Sequence, residues 1–166
     1  MRCPRLRARK ENVSTAPVLT MLLHGTCVAL KLPGRSWRAL LLRGAPGAGK
    51  SDLALRLIDA GGRLVADDQT RIARHGDGLV ATPPATLAGL MEVRGLGIVK
   101  LARGQILAKA PLVLLVDLVS LADIERLPDP DCEILFDITL PRLALAPFEA
   151  SAAAKLRLAL AQSAAA

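Results

Sequence analysis

An eight-residue segment in the first third of the chain restricts its possible folds more than any other feature. The segment consists of Gly44, Ala45, Pro46, Gly47, Ala48, Gly49, Lys50 and Ser51. It matches the pattern G-x-x-x-x-G-K-[ST], in which glycines let consecutive backbone N–H groups face phosphate oxygens. In this pattern the lysine reaches the β- and γ-phosphates and the hydroxyl ligates magnesium. We therefore predict a loop that binds ATP and Mg²⁺, with Ser51 as a metal ligand.

The residues on either side place this loop between a strand and a helix. Residues 22–32 and 37–43 are apolar runs separated by Pro-Gly-Arg-Ser, which predicts a β-hairpin. Apolar residues at helical spacing predict a helix over residues 51–60, followed by two glycines. A phosphate loop requires this order, because the helix N-terminus then directs the positive end of its dipole at the phosphates.

The rest of the chain alternates short apolar segments with turn residues. Strands are predicted at residues 63–67, 71–73, 79–81, 97–101, 112–116 and 133–138, and a helix at residues 150–161. The segments 71–73 and 79–81 are predicted to form a second hairpin around Gly-Asp-Gly. Because strands and helices alternate around a buried apolar run, we predict an α/β fold with a mixed β-sheet and flanking helices.

The net charge of +7 is concentrated at the N-terminus. Residues 1–20 contain five basic residues and one acidic residue, without apolar periodicity. We therefore expect a disordered basic tail over residues 1–20 and a single domain over residues 21–166, with Met21 as an alternative start. The domain is only mildly basic and aromatic residues make up 2% of the chain, so we expect no nucleic-acid partner.

Neither a membrane segment nor a secretion signal is indicated. Asp117 interrupts the longest apolar run, which stays far below the roughly 18 residues of a membrane span. His24 and Gly25 interrupt the apolar stretch near the N-terminus, and no small-x-small cleavage site follows. The three cysteines form no Cys-x-x-Cys pair. We therefore expect a soluble, cytoplasmic protein without membrane contact.

Phosphoryl transfer to a hydroxyl also requires a carboxylate at the metal and a base for the acceptor. Two segments offer such carboxylates. Asp67 and Asp68 follow the apolar residues 64–66, and a strand-end pair beside a triphosphate suits both roles. Asp117 follows the apolar run 112–116, as the metal-binding aspartate of many nucleotide-binding proteins does. The pattern alone favours Asp117 slightly and leaves both segments open.

Four segments together resemble the catalytic domain of the HPr kinase/phosphorylase family, over roughly residues 22–140. They are His24-Gly25 at a strand start, the phosphate loop with residues 52–55, Leu-Val-Ala-Asp-Asp at 64–68, and Met-Glu-Val-Arg-Gly-Leu-Gly-Ile at 91–98. The last segment is the most specific. Other phosphate-loop proteins do not usually place Glu-x-Arg-Gly-x-Gly after an Ala-Asp-Asp strand.

The resemblance implies a phosphate-loop kinase fold like that of phosphoenolpyruvate carboxykinase. It also moves the role of metal-site aspartate from Asp117 to the segment 64–68. Asp67 then matches the catalytic base and Asp68 its acidic neighbour. The strand that carries them is expected to lie beside the strand that leads into the phosphate loop.

Five further residues receive roles from the resemblance. Glu92 matches a metal-site carboxylate, and His24 matches a histidine near the transferred phosphate. Arg94, Gly95 and Gly97 match a signature segment that shapes the site and the contact with the partner.

Two departures from the family accompany the resemblance. The sequence shows no counterpart of the family's N-terminal domain, so we expect a truncated form that keeps the kinase core. The family's mobile basic loop is reduced to residues 140–142. The resemblance therefore does not extend to the reverse reaction, phosphorolysis.

The sequence thus predicts an ATP-dependent serine kinase core that phosphorylates an HPr-like phosphocarrier protein and regulates carbohydrate metabolism through the phosphotransferase system. The family commonly forms oligomers, so a homo-oligomer is an expectation. Two alternatives stay open: a small-molecule kinase or NTPase with Asp117 at the metal, and a non-catalytic module that senses ATP.

Overall fold

The computed structural model of the protein describes residues 19–163, which form eleven strands and two α-helices. In chain order these are β1 (Thr20–His24), β2 (Thr26–Lys31), β3 (Trp37–Arg43), α1 (Lys50–Asp59), β4 (Arg63–Ala66), β5 (Gln69–His75), β6 (Gly78–Thr82), β7 (Leu90–Val93), β8 (Gly97–Lys100), β9 (Ala110–Leu118), β10 (Asp131–Leu135), β11 (Ile138–Leu145) and α2 (Ala152–Ser163). The predicted mixed α/β architecture is confirmed. Both predicted hairpins are present, as β2–β3 and β5–β6.

Nine of these strands form one mixed sheet in the order β1-β5-β6-β9-β3-β2-β4, with β11 beside β9 and β10 beside β11. Strands β3, β9 and β11 are parallel. Strand β2 is antiparallel to both β3 and β4, so β4 runs in the same direction as β3. The carboxyl ends of β3, β4, β9 and β11 therefore lie at one edge, where open α/β sheets bind their ligands.

A bent two-stranded ribbon makes this sheet curl. Strands β1 and β2 continue into each other through Gly25, as β4 and β5 do through Asp67 and Asp68. The ribbon pairs β1 with β5 and β2 with β4, so it joins the two ends of the strand order. At the bend, the Gly25 amide donates to the Asp68 carbonyl (2.9 Å), and a Cβ at Gly25 would lie 2.7 Å from the Leu42 carbonyl oxygen.

The core has two parts, one on each face of the curled sheet. On β3, Leu40 and Leu42 pack with the helices, whereas Ala39 and Leu41 pack inside the curl. This alternation follows the two-residue period of a strand, and burial on both faces explains why β3 is apolar throughout. Helix α1 buries its predicted apolar stripe against the outer face of the sheet.

Five expectations about the fold need correction. Strand β4 is not beside β3, because β2 lies between them. His24 ends strand β1 and does not open a strand. The predicted strand 133–138 ends at Leu135, and the segment 140–142, expected as the remnant of a loop, lies within β11. Thr20 belongs to the sheet, since it pairs with Ala73, and the Leu19 carbonyl accepts a hydrogen bond from the Arg74 amide (3.3 Å).

The turn between β10 and β11 explains why the predicted strand 133–138 ends early, at Leu135. Phe136 and Asp137 both adopt left-handed backbone angles (φ 52° and 62°) and form a two-residue hairpin turn. Such turns usually carry glycine or asparagine, so Phe-Asp gives a weak sequence signal. Pro141 is tolerated in β11 because it precedes the segment that pairs with β9.

The expected basic tail over residues 1–20 falls almost wholly on residues 1–18, which lie outside the described residues. Within residues 19–163, no helix is both long and apolar enough to cross a bilayer.

Candidate functional site

The predicted phosphate loop connects β3 to α1, as its sequence pattern requires. Gly47 and Gly49 adopt left-handed φ angles of 80° and 90°, which side-chain-bearing residues rarely adopt. Gly49 caps α1, whose first residue is Lys50, one residue earlier than predicted. The first backbone N–H groups of the helix therefore have no partner within the helix and are available to phosphate oxygens.

The Lys50 side chain folds back over the loop. Its ammonium group donates to the carbonyl oxygens of Gly44 (2.8 Å) and Ala45 (3.0 Å), and the residue is buried. An ammonium group has three donors, so one remains for a phosphate oxygen. The contacts hold the charge at the loop before any ligand arrives.

Asp67 is almost enclosed, with 6% of its surface exposed. Its Oδ1 accepts hydrogen bonds from the hydroxyls of Thr26 (2.8 Å) and Ser51 (3.1 Å). Its Oδ2 accepts a hydrogen bond from the backbone amide of Glu92 (2.9 Å). One carboxylate thus joins β2, α1 and β7 to the end of β4, and its direct contact with Ser51 unites two of the predicted site residues.

Asp68, unlike Asp67, is exposed to solvent. Its backbone adopts a left-handed φ of 62°, and its side chain is 65% exposed. Its Oδ1 lies 3.3 Å from Nδ1 of His24, at the end of β1. Both side chains line the same cleft as the phosphate loop, whereas Asp67 lies behind the cleft wall.

The hairpin β7–β8 contributes the segment that the sequence marked as most specific. Glu92 and Arg94 both line the cleft. Gly95 and Gly97 have left-handed φ angles of 89° and 87°; Gly95 lies in the turn of the hairpin, and Gly97 begins β8 opposite Val93. The glycines therefore shape the turn that carries Arg94, and they do not themselves line the cleft.

The cleft has a volume of about 650 Å³, within the range of ligand pockets in proteins. Beside the loop, it brings together four predicted residues: His24, Asp68, Glu92 and Arg94. It also includes Asp52, Leu55 and Val93, which belong to the segments that carry the resemblance, and Phe148, which the sequence did not single out. Thr26, the buried partner of Asp67, was missed as well. In the sequence, Thr26 stands out only as a polar residue next to Gly25 in an otherwise apolar strand.

Asp117, the competing aspartate, belongs to an ion-pair cluster. Its carboxylate accepts hydrogen bonds from Arg43 (2.8 Å to Nε) and from Arg142, and Arg43 also pairs with Glu133 (2.9 Å). Burial raises the pKa of Asp117, but the hydrogen bonds and charges of the two arginines outweigh it and lower the pKa below its usual value. Asp117 is not among the residues that line the cleft.

The oxygen atoms around Ser51 suit a magnesium ion whose other ligands are water and the phosphates of a bound nucleotide. The Ser51 hydroxyl and the Asp67 carboxylate are adjacent oxygen donors, the ligand type that Mg²⁺ prefers. Among residues 19–163, no three His, Cys, Asp or Glu side chains group into a complete metal site. Magnesium commonly uses one or two protein carboxylates and completes its shell with water and substrate phosphates.

Comparison with known proteins gives concordant matches. The family model described as "HPr Serine kinase C-terminal domain" matches residues 19–154. An HPr kinase/phosphorylase of Geobacillus thermodenitrificans is 34% identical over 157 residues, which cover 87% of this chain and 48% of that protein. Another from Exiguobacterium sibiricum is 43% identical over 81 residues, covering 48% of this chain and 24% of that protein. The chain thus spans about half or less of these relatives.

A solved structure shares the fold. The HPr(Ser) kinase/phosphatase from Coxiella burnetii superposes with a TM-score of 0.70 at 21% sequence identity, covering 87% of this chain and 93% of that one. The predicted phosphate-loop kinase fold is therefore confirmed.

Proposed function

Because the chain belongs to the family of HPr serine kinase C-terminal domains, we propose that it transfers the γ-phosphoryl group of ATP to a serine hydroxyl of an HPr-like phosphocarrier protein. Such a transfer would regulate carbohydrate metabolism through the phosphotransferase system. One observation carries the proposal: a single cleft brings the phosphate loop together with the His24–Asp68 pair, next to the Ser51–Asp67 pair.

The loop and the start of α1 bind the triphosphate in this proposal. Backbone N–H groups of Gly47 and of residues 49–51, together with the remaining donor of Lys50, contact its β- and γ-phosphate oxygens. Ser51, Asp67 and Glu92 would hold magnesium, which neutralises charge on the transferring phosphoryl group. Asp67 also orients the Ser51 hydroxyl through their hydrogen bond.

We assign the base to Asp68, although the resemblance implied Asp67. Asp67 is enclosed and already accepts three hydrogen bonds, so an incoming serine has little access to it. Asp68 is exposed in the cleft and is oriented by His24. As the serine oxygen bonds to phosphorus and the bond to the ADP oxygen breaks, Asp68 accepts the serine proton. Arg94 adds positive charge where the phosphoryl group passes.

Single-turnover assays with labelled ATP, magnesium and purified HPr test this division of roles. Asp68→Asn should slow transfer by about 10²- to 10⁴-fold and leave ATP affinity within a few-fold. Asp67→Asn should weaken both magnesium-dependent ATP binding and transfer. Asp129→Asn, an exposed aspartate outside the cleft, is the matched control.

The same assays separate the alternatives. Slower transfer in Asp67→Asn with unchanged ATP affinity, and normal transfer in Asp68→Asn, would return the base to Asp67. Selective loss in a folded Asp117→Asn variant would favour an NTPase that uses Asp117. Tight ATP binding without transfer to any protein acceptor would favour an ATP-sensing module and contradict the kinase proposal.

A further inference from the structure

We propose that Phe148 forms a platform on which the purine base of the bound nucleotide stacks. This inference rests on the proposed function, since it requires the phosphate loop to bind a nucleoside triphosphate. It places the purine base on one side of the phosphate loop and the acceptor serine on the other.

The first observation is an exposed aromatic ring at the cleft. Phe148 is 71% exposed, yet it lines the cleft and packs against the phosphate loop. A Cβ at Gly49 would lie 2.9 Å from Cζ of the Phe148 ring. By contrast, the ring of Trp37 is covered by the guanidinium of Arg63 at 4.7 Å. Because this exposed ring lies inside a cleft of ligand size, a bound ligand can cover it.

The strand order places this ring on a defined flank. The phosphate loop follows β3; β2 and β4 lie on one side of β3, and β9 and β11 on the other. Asp68 follows β4, whereas Phe148 follows β11, and both strands end at the same edge of the sheet as β3. A nucleotide with its γ-phosphate directed at Asp68 therefore extends its base towards Phe148.

The ring is also held in place before a ligand binds. Arg56 of α1 donates a hydrogen bond to the carbonyl of Pro147 and pairs with Asp52 at 2.8 Å. Proline restricts its own backbone φ, so the segment before the ring is stiff. Arg56 is thus a positioning residue, and Leu55 of the same helix adds apolar surface to the same cleft.

The composition of the cleft predicts the class of base. A stacking surface accepts any base, because every base presents a π-face, and larger purines gain more contact. Among the described residues that line the cleft, none is Asn or Gln, the side chains that recognise adenine through paired hydrogen bonds, and Arg94, a residue type that can recognise guanine, follows β7 on the hairpin assigned to the phosphoryl group. We therefore expect ATP and GTP to bind with similar affinity, and CTP more weakly.

Calorimetric titration of the full chain in magnesium buffer tests the platform, with ATP, GTP, CTP and inorganic tripolyphosphate as ligands. Phe148→Ala should weaken ATP and GTP binding by about five- to 150-fold. It should leave tripolyphosphate binding unchanged, because that ligand has no base. Phe148→Trp should retain nucleotide affinity. Leu121→Ala, which shortens an exposed apolar side chain outside the cleft, is the control.

Two results would overturn the platform. Unchanged ATP affinity in Phe148→Ala would show that the ring does not contact the base. An equal loss for ATP and tripolyphosphate would show that the ring only supports the loop. In both cases, binding of ATP by the unmodified protein and its loss in Lys50→Ala would leave the proposed function standing. If the unmodified protein binds neither ligand, the proposed function fails and the platform fails with it.

Discussion

Neighbouring carboxylates at positions 67 and 68 face different surroundings because the backbone turns between them. Asp67 continues the direction of β4 and enters the interior, where three donors meet it. The left-handed φ of Asp68 directs the next side chain outward to His24. In the function we propose, this tandem pair of identical residues supplies one enclosed metal ligand and one accessible base.

The left-handed backbone at Asp68 predicts an unusual order of stabilities. Glycine adopts this conformation without steric cost, whereas alanine does not. Asp68→Gly should therefore unfold at a higher temperature than Asp68→Ala, by about 2–4 °C for each kcal/mol of difference. Thermal melts of both variants measure it. Equal melting temperatures would mean that position 68 relaxes to an ordinary backbone conformation.

Lys50→Ala should weaken binding of both ATP and tripolyphosphate by about ten- to 150-fold, because it removes a charged hydrogen bond to phosphate. Its thermal stability should change little once the loop carbonyls are hydrated. Lys109→Ala, an exposed lysine outside the cleft, serves as the control in the same titrations. Undiminished affinity in a folded Lys50→Ala variant would contradict the phosphate-loop assignment.

The residues of the site differ in how far sequence could predict them. Lys50 and Ser51 belong to a contiguous motif whose spacing encodes its own geometry, so their position was predictable. His24 and Glu92 were located only through the family resemblance. Phe148 was missed because nothing local marks it. It reaches Gly49 only after β11 has paired beside β9.

At the scale of elements, hydrophobic periodicity predicted most strands and both helices, but not the order of the strands. Adjacent strands in sequence usually pair, yet β4 pairs with β2 and lies one strand away from β3. The β10–β11 turn was missed because Phe-Asp lacks the usual turn residues. Periodicity describes one segment at a time, whereas strand order depends on contacts between distant segments.

The ion-pair cluster around Asp117 predicts how stability depends on pH. The pKa of Asp117 is lowered in the folded state, so its contribution is complete above the unfolded pKa of about 4 and is lost as the pH falls through the folded value. Asp117→Asn should lower the free energy of unfolding at pH 7 by about 1–3 kcal/mol. It should also flatten the decline in stability below about pH 4.

Urea unfolding between pH 2 and 7 measures this dependence. Asp137→Asn is a suitable control, because the Asp137 side chain is 95% exposed and its pair with Arg74 spans 3.8 Å. If the free energy of unfolding falls equally with decreasing pH in the protein and in the Asp117→Asn variant, other carboxylates cause the acid sensitivity.

Among residues 19–163, the two core clusters draw on residues 21–160, and the basic segment 1–18 lacks apolar periodicity. Deleting residues 1–18 should therefore leave ATP affinity unchanged and shift the melting temperature by less than about 2 °C. Deleting residues 1–24 should lower it clearly, because β1 covers the edge of β5 and Met21 and Leu23 pack against the core. A large loss in the shorter deletion would show that the segment 1–18 contributes to the fold.

The curled sheet has a consequence for the speed of folding. Many of its strand pairs connect residues far apart in sequence. One example is the pairing of β3 with β9, where Arg43 contacts Asp117 across 74 positions. Chains dominated by such distant pairings fold slowly, on the order of milliseconds to seconds. The phosphate loop is local, but Asp68 reaches it only when β4 has paired with β2, and Phe148 only when β11 has paired with β9. After dilution from urea, nucleotide binding should therefore recover no faster than the sheet signal in circular dichroism.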